Sequence, residues 1–304
     1  MKKNIWQKIK NFKFRGIDYY AIRGISGKIL RDKIIEIIVS RREKIYKATS
    51  KSLLVEYDSI NRHVDNMNGD GFTIFDHKLS PEKLDNIISF IMTLSCYDPY
   101  RKNLGSIDPA NPPQETHIAN YERADLIKNK GILDIANDSG VLSIAQDFLG
   151  ATPTISNINV WWSFGGRVQA EEAQLYHRDV DDWKFCKFFV YLTDVEAENG
   201  PHIYVKGTSI SDKLRQIRRY EDKEVEDTFG KENVTTFIKP KGSAFMVDTY
   251  GFHKGLIPKS GRRLLLQIQY SLNPLKVETY NPILLQNNQV INYDKYVNRL
   301  IFKQ

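Results

Sequence analysis

The chain of 304 residues contains only two cysteines, Cys96 and Cys186, too few for a disulfide-stapled secreted scaffold. No apolar run approaches the roughly 20 residues needed to cross a bilayer as a helix. The longest runs, such as Leu264-Leu265-Leu266 and Phe188 to Leu192, are strand-sized. Internal repeats and low-complexity tracts are also missing, which removes any sign of a repeat array. A secretory leader is not expected: Lys2 and Lys3 resemble a basic start, but Trp6 to Phe14 is interrupted by Lys8, Lys10 and Lys13. Together these absences favour a reducing, cytoplasmic setting.

What is present argues for a folded chain. Apolar residues make up 41% and charged residues 27%, enough for a real core and against wholesale disorder. The net charge of +7 is unevenly placed. Residues 1–51 hold 15 of the 44 Lys and Arg against four acids, a net of +11, so the remainder carries −4. Trp6, Phe12, Phe14, Tyr19 and Tyr20 interleave with these basic residues. Such an arm suits an anionic partner, with a membrane surface or a glycan favoured over nucleic acid, and adds peripheral membrane docking to the expected localisation.

Helices are expected first and strands later. Leu30, Ile34, Ile35, Ile37, Ile38 and Ile45 recur near a 3.6 period, which predicts helix over 28–66. A turn cluster, Asn66 to Gly71, separates this region from a short strand, Phe72 to Phe75. Ser80-Pro81-Glu82 then starts a helix running to about Ser95. Asp98 to Pro113 carries four prolines and no period, so a long loop is expected, followed by two short helices over 122–137 and 141–149. From Ile155 onward, strands are predicted at 155–164, 185–194, 202–205, 234–238, 243–248 and 263–272. Without βαβ alternation, this order predicts an antiparallel sandwich or open barrel flanked by helices.

His177 and Asp179 stand at i and i+2, so on an extended segment both side chains share a face and can reach one metal ion. His253 follows the strand 243–248 and offers a third ligand. Two imidazoles and one carboxylate on one face of an octahedron leave open positions, as non-haem iron oxygenases require. The pair alone is a common pattern, equally read as a His–Asp surface pair. Arg263 opens the last strand and shares a face with Leu265, Gln267 and Gln269, where its guanidinium offers a fork for a carboxylate.

With these residues the chain resembles the phytanoyl-CoA dioxygenase family of Fe(II)- and 2-oxoglutarate-dependent oxygenases. The resemblance runs from about Gly69 to Leu272. It rests on Asp70 to Phe75, Leu79 to Glu82, Gln174 to Asp179, Phe188 to Val195, Glu198 to Pro201, Val205 to Ser209, Gly242 to Phe245, His253 and Arg263. It implies a double-stranded β-helix (jelly-roll, cupin-like) barrel over 67–272; outside the resemblance, a basic helical extension over 1–66 and a C-terminal tail over 273–304 packing on the barrel are expected. It implies Fe(II) on His177, Asp179 and His253, with 2-oxoglutarate as cosubstrate on Arg263 and O2 as oxidant. Strand parity turns Lys187 and Tyr191 inward, where they become further candidates to touch 2-oxoglutarate. The activity implied is hydroxylation of a C–H bond in a small-molecule, lipid or glycan-type substrate, with release of succinate and CO2. Retention of the carboxylate ligand favours oxidation over halogenation. Two readings compete: a catalytically silent barrel that binds a ligand or partner, and an anionic-surface binder acting through the basic arm.

Overall fold

A computed structural model describes residues 21–47, 51–166, 172–274, 282 and 293–303. The first half contains α1 (Lys28–Ser40), α2 (Ile60–Gly69), β1 (Phe72–Ile74), α3 (Pro81–Ile91), β2 (Cys96–Tyr97), β3 (Ser106–Ile107) and β4 (Ile118–Tyr121). Three helices follow, α4 (Arg123–Leu126), α5 (Lys130–Ala136) and α6 (Ser139–Leu149), and then β5 (Thr154–Phe164) and β6 (Phe185–Tyr191). The chain continues through β7 (His202–Val205), α7 (Asp222–Phe229), β8 (Val234–Phe237), β9 (Ala244–Val247), β10 (His253–Gly255) and β11 (Arg262–Ser271).

The strands form two antiparallel sheets. The major sheet runs β1-β9-β6-β11-β5-β4-β2-β3 and the minor sheet β10-β7-β8. Alternation along each strand sorts side chains into layers. Outward-facing Phe188, Val190, Leu264, Leu266, Ile268 and Tyr270 pack against α3, α5 and α6 in one apolar layer. Between the sheets, Phe72, Phe189, Tyr191, Tyr204, Phe237 and Phe245 make a second. Tyr176, Ile203, Val205, Tyr220 and Phe252 form a third. This is a double-stranded β-helix with helices covering the major sheet.

The covering helices are held by local chemistry. Ser80 caps α3 by accepting from the Lys83 amide at 3.4 Å, with Pro81 preset for the first turn. Asp138 caps α6 by accepting from Gly140 and Val141 at 3.1 Å each, and its second oxygen takes the Leu53 amide at 2.6 Å. Gly150, at φ 84°, ends that helix in a left-handed turn.

Several sequence expectations are corrected. The stretch 28–66 is not one helix, because α1 stops at Ser40 although the apolar period continues to Ile45. The amides of Ile45 and Tyr46 donate instead to Thr152 Oγ1 at 2.7 and 3.2 Å, so side chains near the end of α6 satisfy them and the chain stays extended. The loop over 98–113 contains β3, and 122–137 forms two helices rather than one. Residues 1–20 of the basic arm lie outside the described residues. In the tail, Val297, Ile301 and Phe302 join the outer apolar layer, and the Val297 carbonyl accepts from Ile155 at the start of β5.

Candidate metal centre

His177 and His253 face each other across a backbone bridge between the sheets. Each amide donates to the other residue's carbonyl at 3.2 Å, a pairing that puts both side chains on one side. Two residues on, the Asp179 amide donates to the Thr249 carbonyl at 2.8 Å, which keeps the segment extended and returns the carboxylate to the same face. Ligand atoms of His177, Asp179 and His253 all lie within 4.8 Å of one another. His177 Nε2 is 3.6 Å from Asp179 Oδ1, and His253 Nε2 is 3.3 Å from Oδ2.

The tautomers follow from the outer contacts. His177 Nδ1 sits 2.8 Å from the Leu175 carbonyl and His253 Nδ1 3.0 Å from the Gly251 carbonyl. A carbonyl can only accept, so each Nδ1 carries the proton and each Nε2 lone pair points into the cluster. Burial, reinforced by His253, pushes the His177 imidazole down to about 3, so it is neutral at physiological pH. For Asp179, burial acts upward, but the Lys187 ammonium holds the carboxyl well below its usual range. Lys187 Nζ lies 2.7 Å from Asp179 Oδ2 and 3.1 Å from Asp181 Oδ2. This leaves Oδ1 as the less engaged carboxylate oxygen. Two imidazole nitrogens and an ionised carboxylate are a donor set suited to Fe(II).

A cavity of about 200 Å³ opens from this cluster, and its wall includes Phe189, His202, Leu265 and Arg263. Arg263 is buried on β11. It donates to the Gly200 carbonyl and, at 3.2 Å, to Ser163 Oγ, while its Nε is buried without a hydrogen bond among the described residues. A buried cation with an unused donor at a cavity wall fits a ligand carboxylate. His177, Asp179, His253, Lys187 and Arg263 therefore line one space. Tyr191 is placed differently. Its hydroxyl donates to the Phe237 carbonyl at 3.0 Å and accepts from the His202 amide at 3.1 Å, so it braces the inner wall beside Arg263.

Sequence reasoning passed over several residues of this site. His202, at the start of the predicted strand 202–205, stacks on His253 with ring centres 5.7 Å apart and lies tilted against Phe189 at 5.2 Å, with Nε2 buried and unpartnered among the described residues. His117 stacks under Tyr100 at 5.4 Å and lines the same cavity. Asp181 shares Lys187 with Asp179. The Asp181 signal was in the sequence, since it stands two residues after Asp179; His202 and His117 depend on distant strands and carried none.

No family model matches the sequence, and no curated protein matches it. Solved structures do share the fold. EctD from S. alaskensis, solved with bound Fe, is 14% identical with a TM-score of 0.53, covering 86% of this chain and 93% of its own. The epimerase SnoN, in complex with Fe3+, alpha ketoglutarate and nogalamycin RO, is 12% identical with a TM-score of 0.52, over 71% and 84%. HygX from Streptomyces hygroscopicus, with nickel and 2-oxoglutarate bound, is 12% identical with a TM-score of 0.50, over 77% and 96%. At these identities the likeness concerns the fold.

Proposed function

We propose that the chain is an Fe(II)- and 2-oxoglutarate-dependent oxygenase that hydroxylates a C–H bond of a small organic substrate. One observation carries the reading: both Nε2 lone pairs and an ionised carboxylate converge beside a cavity whose wall offers a buried arginine with an unused donor. His177, Asp179 and His253 would hold the iron, and Arg263 the far carboxylate of 2-oxoglutarate. When bound, iron with 2-oxoglutarate and O2 supplies the oxidising power, with succinate and CO2 as coproducts. The fold shared with iron- and 2-oxoglutarate-bound structures supports the cofactors. The ordered motifs from Gly69 to Leu272 support membership of the phytanoyl-CoA dioxygenase family.

The protein's own part is positioning. The Leu175 and Gly251 carbonyls fix both imidazoles, and Lys187 keeps Asp179 ionised and oriented through Oδ2. Phe189, Phe245 and Leu265 keep the space between the sheets apolar behind the cluster, which limits water there. Purified protein given Fe(II) and 2-oxoglutarate is expected to release succinate, and His177→Ala to lose both this and tight metal binding. Parent-like metal and 2-oxoglutarate binding by His177→Ala would overturn the assignment.

The basic arm supports docking at an anionic membrane surface. On α1, Ile29, Leu30 and Ile37 are exposed, and this apolar face follows directly on the basic residues of 1–28. Cosedimentation with phosphatidylserine vesicles, weakened by salt and absent after deletion of residues 1–51, is the expected outcome. Salt-independent or absent sedimentation contradicts it.

A further inference from the structure

The part of the barrel interior beyond the metal cluster has an unusual surface for a buried place. Strand register lays it out in rows. Lys187, Gln269 and Asn157 lie side by side on β6, β11 and β5; the next row is Phe189, Gln267 and Asn159. A third places Leu265 beside Trp161 and Asn120. Paired residues share a face, so the carboxamides form a contiguous patch on the inner surface. They line a cleft of about 480 Å³ that shares Trp161, Gln267, Lys187, His177 and Asp179 with the smaller cavity.

Gln269 Nε2 donates to Ser271 Oγ at 3.3 Å and Asn157 is engaged, but the rest of the patch lacks protein partners among the described residues. Gln267 is 7% exposed, yet its side-chain amide and that of Asn159 make no hydrogen bond among the described residues. Asn120 Oδ1 is buried and has no hydrogen-bond partner among the described residues. Buried amides are normally paired, so leaving several open on one face points to groups that arrive with a ligand. Each carboxamide donates and accepts in one plane, which matches a hydroxyl that does both. Trp161 lines the same wall, and Tyr100 stands at the edge of the cleft, its ring supported by His117. Flat aromatic faces beside planar amides suit the alternating C–H and O–H surfaces of a sugar ring. The cations and anions nearest the iron ligands largely answer one another, since Lys187 pairs with Asp179 and Asp181. An acyl chain laid on this patch would cover the amides without satisfying them.

We infer that the cleft binds a polyhydroxylated, carbohydrate-like substrate, with Gln267, Asn159, Gln269 and Asn120 reading its hydroxyls and Trp161 stacking on a ring face. This rests on the oxygenase reading for what happens to the substrate, but not for its binding. A cleft built to hydrogen-bond hydroxyls discriminates against analogues lacking them by up to about 10⁴-fold.

Saturation-transfer NMR on the full chain, with and without Ni(II) and 2-oxoglutarate, tests it. The probes are a soluble carbohydrate set of neutral oligosaccharides, amino sugars and nucleotide sugars, against an acyl set of fatty acids and their CoA thioesters. At least one carbohydrate is expected to bind, with affinity falling tenfold or more in both Gln267→Leu and Asn159→Leu, each first shown to melt like the parent. Binding confined to the acyl set, no binding by any carbohydrate, or unchanged affinity in both variants overturns the inference. Should the chain bind carbohydrate but neither metal nor 2-oxoglutarate, the oxygenase reading fails while the cleft assignment stands. Loading with metal and 2-oxoglutarate but no response to carbohydrate gives the reverse.

Discussion

The two faces of β11 are both buried, but the outer is apolar and the inner largely polar. Outward, Leu264, Leu266, Ile268 and Tyr270 are fully enclosed among helices, and the one polar atom there, the Tyr270 hydroxyl, donates to the Ala136 carbonyl at 2.8 Å. Inward, Arg263, Gln267 and Gln269 are 4–7% exposed, yet Arg263 Nε and the Gln267 amide have no hydrogen-bond partner among the described residues. Burial alone therefore does not separate structural from functional positions. Satisfaction of the buried polar atoms does, because an unmet donor destabilises the fold unless a ligand meets it.

The sharpest way to break this contrast is to place an amide on the wrong face. Ile268→Asn puts an unsatisfied polar group into the helix-facing layer and is expected to lower stability by about 3–5 kcal/mol, read as the urea midpoint. A loss below about 1 kcal/mol would show that the outer layer admits water. The same layer already contains one titratable probe. His63 on α2 stacks on Phe75 at 5.1 Å, with Nδ1 2.7 Å from Thr73 Oγ1 and Nε2 3.6 Å from Asp76. Burial, aided by Arg62, lowers its pKa in the fold, against the opposing pull of Asp76. The unfolded chain then takes up this proton first, so stability is lost as pH falls below about 6.5, by at most about 1.4 kcal/mol per pH unit. His63→Gln should flatten the pH dependence of the urea midpoint over that window; an unchanged slope would assign it to other groups.

Tyr270→Phe tests the satisfied polar atom of the outer face. It is expected to cost about 1 kcal/mol, because the buried Ala136 carbonyl loses its tyrosine donor, and chemical denaturation measures this directly. The side of the sheet on which Tyr270 lies was legible from the sequence, since period-two alternation in 185–191 and 262–271 survives in β6 and β11. The clustering of His177, Asp179 and His253 was also legible, through the His177–Asp179 spacing and the position of His253 after a strand. Other features were hidden for physical reasons. β4 and β10 are too short to show a period, and β10 ends in Gly255. Helix over 41–47 was overruled by Thr152, more than a hundred residues away. The amide patch was invisible because Asn159 and Gln267 meet only through register, and neither side chain alone signals a site.

The smallest expected change in stability is also the most informative, because its sign is reversed. Gln267→Leu stands one residue from Ile268→Asn and exchanges the same two kinds of group in the other direction. Gln267 lies between Phe189 and Asn159 in register, so an apolar side chain there finds one apolar neighbour and leaves one amide less enclosed by polar company. Removing an amide that has no partner among the described residues relieves a desolvation penalty, and leucine restores comparable volume. The free protein should therefore be unchanged or stabilised by up to about 1 kcal/mol in thermal or urea unfolding. A destabilisation comparable to that of Ile268→Asn would mean that Gln267 belongs to the fold rather than the cleft. Neutral or higher stability would identify the inner face of β11 as polar for a ligand's sake, since nothing in the folded chain itself would require it.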